Sequence, residues 1–389
     1  LLSIEAAIFA QELCGVPSKA VAKILSLDWT LSPANRAQLE TVASNEEDKL
    51  TRKDTFLEAA WKVYLEVEGL LHDPEHPQPE CVQHQMLNVA FSSMEDEDSA
   101  SQEDSIHSTP PPSGRSSSPA LPGAVTGRKR VHSDSDCQLA PSKKRRLAEE
   151  SAIPSTALCR LAAICRDHLN SSGRLFSVGI CVEGSTVRLA YFDRMVAVQT
   201  HPSSFESCSF ALIAYALFKT LPNVGENPFV HAPPLSATGS DIPICEGLAG
   251  SCFQFPNKNG GFDKFEVLGV VHQPRQLIGR ATTVYRTKAF LANPTKLTHG
   301  HEVALKLSWQ PVGPERPREP EASIIHKIRE RVPPIWRRHL PEVFFSATYT
   351  PEELNIPWCN ATSQLKFDKD FERRNLHVLA MPIYRRLEE

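Results

Sequence analysis

The sequence predicts an α+β protein: a helical N-terminal region, a disordered linker, then a mixed α/β segment that runs into an antiparallel sheet with one helix. Three observations carry that expectation. Before residue 91 apolar side chains recur at helical spacing. Over 92–154 the aromatics all but vanish and Ser, Pro and charge take over. After 155 the pattern switches between the period of a helix and the period of a strand. The expected boundaries are 1–91, 92–154, 155–262 and 263–389.

In the first region "DTFLEAAWKVYLEVEGLL" places Leu57, Ala60, Trp61 and Tyr64 on one face, with Asp54 as an N-cap. Shorter helices are expected over 2–13, 17–26 and 34–45. Together they read as a small bundle that packs on another part of the chain. The linker cannot bury enough apolar surface to offset its chain entropy, so it is expected to be disordered. It holds two basic clusters, "GRKR" with Arg128, Lys129 and Arg130, and "PSKKRRL" with Lys143, Lys144, Arg145 and Arg146. Adjacent cations on an extended strand suit an acidic import receptor, so the expected address is the nucleus, with the cytoplasm beside it. The competing reading is a solvated charge run.

Beyond the linker, "ALCRLAAICRDHL" (157–169) reads as a helix. "LFSVGICVEGSTVRLAYFDRMVAVQTH" alternates as strands about a turn at Glu183-Gly184, and "SFALIAYALFKTL" (209–221) is an apolar helix. A Gly/Pro/Asn-rich passage over 222–262 leads into the β-rich block.

Composition narrows the function classes. A net charge of −4 gives no reason to expect nucleic acid, and the ten cysteines show no CxxC pair, so neither a zinc ribbon nor a dithiol site is expected. Metal ligands are expected nowhere. The run "FALIAYALF" is about half of the ~20 residues a membrane span needs. The opening "LLSIEAAIFAQELCG" has polar residues at helical spacing and no basic start, unlike a secretory signal. The 14 histidines form no recognisable arrangement with a nucleophile.

The candidate chemistry lies in three strand-like pieces, "QLIGRAT", "TVYRTKAF" and "EVALKLSW", followed by "EPEASIIHKIRER" as a helix. In the third piece Val303, Leu305 and Leu307 share one face and Lys306 falls on the other. In the helix Glu321 precedes Ile324, Ile325 and Ile328 by three, four and seven residues, which puts a carboxylate on the apolar stripe. A buried acid needs a partner, and a lysine on an adjacent strand supplies one.

A glycine turn, a "VALK" lysine and a helix glutamate in this order resemble the small lobe of a protein kinase. More closely, "LIGRATTVYR", "VALKLSW", "EASIIHKIRE" and the upstream "LAYFDRMVAVQTHP" look like the fungal-type protein kinase family, which places an Asp-Arg well before the kinase lysine. The likeness covers roughly 155–389, with a long pre-kinase extension and the helical 1–90 included, and implies ATP-dependent phosphoryl transfer to protein, of Ser/Thr type, in the intact protein. By resemblance Gly279, Arg280 and Thr282 would belong to the nucleotide-covering loop, Lys306 would hold the α/β-phosphates, and Glu321 would orient that lysine. Met381 would lie near the gatekeeper position and Ile383 near the adenine edge. ATP with Mg is the cofactor of the intact family member, and none is firmly expected for this chain.

There are departures. The loop has a single glycine, since Ala281 and Thr283 fill neighbouring positions, and the family's Asp-Arg-Ser-Gly reads "DRMV" here. No His-Arg-Asp-x-x-x-x-Asn and no Asp-Phe-Gly occur, and Asp370-Phe371 is followed by Glu372 in what reads as a solvated turn. A catalytic residue is therefore expected nowhere in the chain. It reads as a fragment, with extension and small lobe present and the catalytic half missing. The face toward the missing lobe would be exposed and open to a protein partner. The rival reading is a non-catalytic nuclear interaction or regulatory protein that uses the kinase-like lobe as a scaffold.

Overall fold

The computed structural model describes residues 1–27, 29–44, 49–71, 88–91, 155–220, 225–231, 248–257, 260–291, 300–313, 319–359, 365, 367 and 371–384. The expected linker and both basic clusters lie outside them. Chain order begins β1 (Leu2–Ile4), α1 (Ala6–Glu12), α2 (Ser18–Leu25), α3 (Pro33–Ser44), α4 (Lys49–Leu71) and β2 (Asn88–Phe91). Then come α5 (Thr156–Ser172), β3 (Phe176–Glu183), β4 (Thr186–Asp193), β5 (Ala197–Thr200), β6 (Ser203–Ser204) and α6 (Cys208–Thr220). The rest is β7 (Val230–His231), β8 (Cys252–Pro256), β9 (Phe262–His272), β10 (Thr283–Phe290), β11 (Glu302–Pro311), α7 (Glu321–Arg331), α8 (Pro334–Arg337), β12 (Phe345–Tyr349) and β13 (Arg374–Pro382). The α+β class predicted from sequence is the one observed, with helices before and sheets after.

The first sheet has the order β1-β5-β4-β3-β2, with β6 against β4. Its two faces follow from strict alternation along β3 and β4. Cys181, Ala190 and Phe192 pack on α5 through Leu158, Leu161 and Cys165, whereas Ile180, Val182, Leu189 and Tyr191 face the larger core. Both sides being covered explains why these strands read as nearly continuous apolar runs. The apolar α6 crosses that larger core. It packs against α1, α2 and α4, and pairs such as Trp61–Phe218 and Tyr64–Tyr215 fill the contact. A helix buried all round has no polar face to show, which is what 210–218 displays. Among the described residues no helix is long and apolar enough to cross a membrane.

The second sheet is antiparallel, β12-β13-β11-β10-β9-β8-β7. It begins before residue 263, because β7 and β8 pair into it. One face carries Phe253, Phe255, Phe265, Tyr285, Leu305 and Trp309 into the same core as the first sheet. The other face carries Lys306 and α7.

Several expectations change here. Residues 2–4 form a strand, not the start of a helix, because they pair in parallel with β5 in the register Leu2↔Val198 and Ile4↔Thr200. Helix α4 starts at Lys49, so Asp54 lies inside it and caps nothing. "QLIGRAT" is a loop between β9 and β10, not a strand. Gly279 sits at φ 124° and Ala281 at φ 38°, angles that an extended strand does not use. The isoleucine stripe of α7 is not buried: Ile324 and Ile328 are each 43% exposed, and the buried residue is Ala322. Glu321 is thus at the edge of the covered face and not within an apolar stripe. Phe371, expected in a solvated turn, stacks on Phe367 and meets Trp358 edge-on.

Candidate functional site

Strand β11 reads Val303, Leu305, Leu307, Trp309 on the core side and Ala304, Lys306, Ser308, Gln310 on the other. Lys306 is flanked in the sheet by Val284 of β10 and Leu379 of β13. Helix α7 lies over this face, and the Lys306 ammonium meets Glu321 Oε2 at 2.5 Å. The pair is partly covered, with side chains 23% and 38% exposed. Glu319 pairs with Lys327 instead, so the two acids do not compete for Lys306. An ammonium has three N–H donors and Glu321 takes one, which leaves donors for another acceptor.

Between α7 and strands β11, β12 and β13 lies a cavity of about 240 Å³. Lys306, Ser308, Gln310, Glu321, Thr348 and His377 are among the residues that line it. Ser308 and Gln310 are 2% and 6% exposed. His377 shares a 3.3 Å contact with Thr348 Oγ1, and burial holds its imidazole below the usual range, so it is neutral at neutral pH. A lysine with Ser and Thr hydroxyls, an amide and an imidazole around one cavity makes a site suited to a polar or anionic guest. The volume is below the ~300–1,000 Å³ that encloses a whole small-molecule ligand.

Of the other residues singled out from sequence, Gly279, Arg280 and Thr282 do not line this cavity. They lie in the loop that enters β10, and Arg280 O accepts from Trp309 N at 2.8 Å, which holds the loop beside the far half of β11. Met381 shares the Lys306 face, opposite Ala304, without lining the cavity. Ile383 follows the last strand and is 39% exposed. The structure thus brings Lys306 and Glu321 together, and none of the other five lines the cavity beside them.

The dipeptide Asp193-Arg194, at the turn from β4 to β5, does more than its place in the sequence suggests. Both residues are buried. Asp193 Oδ1 accepts from the backbone N–H of Met195 and Val196 at 2.6 and 2.7 Å, and Oδ2 accepts from Tyr191 Oη at 2.9 Å and Trp358 Nε1 at 2.6 Å. Burial pushes this carboxyl above its usual range, and the four donors pull the other way. Arg194 turns to the loop. Its guanidinium donates to Asn170 Oδ1 at 2.7 Å and to Leu277 O at 3.2 Å, and its own carbonyl accepts from Gly279 N at 3.0 Å. Burial pushes its pKa down to about 10. Sequence reasoning noted the dipeptide but gave it no task, and it passed over Asn170 and Trp358. The only cue was a charged pair closing an apolar strand.

The comparison with known families decides the matter of kinship: the family model described as fungal protein kinase matches residues 139–343. This chain belongs to the fungal protein kinase family. The match takes in α5, the Asp193-Arg194 turn, the Gly279 loop, Lys306 and Glu321, and it stops before β12 and β13, so Met381 and Ile383 lie beyond it. No curated protein and no solved structure matches the chain. Within this fungal kinase family member the paired Lys306 and Glu321 occupy a sheet strand and an overlying helix, and the loop with the unusual backbone angles precedes them by one strand.

Proposed function

We propose that this chain supplies the nucleotide-binding small lobe of an ATP-dependent protein kinase, with Lys306 contacting the α/β-phosphates and Glu321 fixing its direction. The observation that carries the reading is the 2.5 Å ion pair at a cavity lined by the polar side chains of Ser308, Gln310 and Thr348. A surface ion pair of this kind adds little stability, ~0–1 kcal/mol, so holding a lysine this way serves orientation better than folding. Phosphoryl transfer is mostly positioning and charge stabilisation, which a fixed ammonium provides. Among the described residues no three His, Cys, Asp or Glu side chains converge on a metal position, so magnesium belongs to this reading only as the companion of the nucleotide. The chain carries neither of the kinase motifs that supply a base and metal ligands. By itself it is proposed to bind without transferring phosphate, and transfer to a Ser or Thr hydroxyl needs a large lobe with the catalytic Asp.

Lys306→Met removes the charge and keeps the length. It is expected to weaken binding of a non-hydrolysable ATP analogue by about tenfold or more, the size of one charge-assisted contact of ~1.5–3 kcal/mol. Titration calorimetry on the full chain measures this, and an unaltered affinity sinks the proposal.

The second reading, a non-catalytic nuclear interaction protein, is favoured by the apolar side chains that α7 and α8 leave open. Ile335 and Trp336 are 64% and 58% exposed, and Ile324 and Ile328 are 43% each. A protein partner would cover them. Wild-type protein that binds no nucleotide while retaining a partner on this face would favour that reading. Nuclear import suits either one. Changing Lys143, Lys144, Arg145 and Arg146 to Ala in a fluorescent fusion is expected to abolish nuclear accumulation, and persistence of the nuclear signal would remove the basis for the import proposal.

A further inference from the structure

The loop over 273–282 is attached to the segment that precedes the second sheet by five hydrogen bonds. Asn170 Nδ2 donates to Pro274 O at 3.0 Å, and Gln273 Nε2 reaches Asn170 O at 3.4 Å. Arg194 donates to Leu277 O, with Gln276 O at 3.5 Å, and accepts from Gly279 N. The clamp ends at Gly279. The N–H groups of Arg280, Ala281 and Thr282 make no hydrogen bond to another described residue. Positive φ at Gly279 and Ala281 brackets Arg280. Successive free amides in such a bend form a concavity that favours an anion.

We infer that Arg194, acting with Asn170, is a positioning residue that holds the base of this loop so that the amides of 280–282 stay presented to a phosphate. The inference rests on the nucleotide-binding reading above and adds to it a second contact region and the residue that maintains it. Its physical basis is the burial of a cation whose hydrogen bonds run to the loop. A guanidinium is costly to bury, and Arg194 is 5% exposed with its side-chain hydrogen bonds directed to Asn170 and to the loop. Its charge is satisfied by loop carbonyls and by Asn170, so the loop cannot leave without exposing a buried charge. A guanidinium spans two acceptors in fixed directions, which an ammonium cannot do.

The test is Arg194→Lys in the full chain, with Asn170→Ala as a milder second variant that removes one anchor and leaves the cation. Hydrogen exchange of the Gly279 and Trp309 amides is expected to speed up by about tenfold, in line with loss of a charge-assisted bond. Affinity for a non-hydrolysable ATP analogue should fall by a similar factor, while affinity for adenosine, which has no phosphate, stays the same. Unaltered exchange in both variants overturns the inference, as does an equal loss for adenosine and the analogue. Should Arg194→Lys unfold the chain, Asn170→Ala alone decides by the same criteria. Wild-type protein that binds neither ligand overturns the nucleotide reading and this role together, whereas wild-type binding with no change in the variants overturns this role alone.

Discussion

Replacing Asp193 with Ala should cost about 3–5 kcal/mol of stability, a large part of the ~5–15 kcal/mol that a folded domain has. The substitution removes the acceptor for four donors at once, the Met195 and Val196 amides, the Tyr191 hydroxyl and the Trp358 indole. Each lies in a region water does not reach, and an orphaned buried donor costs ~1–3 kcal/mol. Asp193→Asn separates the parts. Its amide oxygen can still accept from the two backbone N–H groups, but its NH₂ then faces the Trp358 N–H, and two donors repel. The Asn variant should therefore lie between wild type and Ala. Urea denaturation midpoints with unchanged slope measure the series. An Ala variant within 1 kcal/mol of wild type would show that the four bonds are dispensable. The effect should extend beyond the turn, because Trp358 belongs to the aromatic group with Phe367 and Phe371 that closes the end of the second sheet.

Gly225→Ala is expected to be as damaging, by a different route. Gly225 has φ 71°, and its carbonyl accepts from Leu175 N at 2.9 Å at the entry to β3. A Cβ there would stand 1.8 Å from the carbonyl oxygen of Phe176 and 2.9 Å from its carbon. Both are backbone atoms of a central strand, so no side-chain rotation relieves the clash. The left-handed angle adds ~1–2 kcal/mol for an L-residue, and displacing the strand adds more, for a total of about 3–5 kcal/mol. Gly173→Ala is the control. It also has positive φ, but its Cβ would meet Leu248 Cδ1 at 2.7 Å, the flexible end of a side chain that can turn away. Thermal melts should place Gly225→Ala well below Gly173→Ala, and equal melting temperatures would refute the clash argument.

Much of the candidate site was legible because it is local. The alternation "VALKLSWQ" placed Lys306 opposite Val303 and Leu305, and helical spacing over 321–331 gave Glu321 its place before the isoleucines. The setting of the pair differs from the one periodicity suggests. Glu321 was assigned to a buried stripe, yet Ile324 and Ile328 are half exposed, and the ion pair forms at the edge of the covered face. Periodicity reveals that a helix has an apolar side but not what, if anything, lies against it.

By itself, the sequence determined the helices α4, α5 and α6, the hairpin turn (expected at Glu183-Gly184, found one residue on at Gly184-Ser185) and the two-faced character of β11, because each is written in residues within a few positions of one another. Tertiary structure alone decided the rest. Leu2–Ile4 became a strand because the edge of β5 was open to it, nearly two hundred residues away in the chain. The loop "QLIGRAT" left the sheet because Arg194, 83 residues before Leu277, takes its carbonyl. Asp193 found Trp358 across 165 residues. Hydrogen-bonding capacity is visible in a residue's name, but its partner is set by the path of the chain, and no local pattern carries that path.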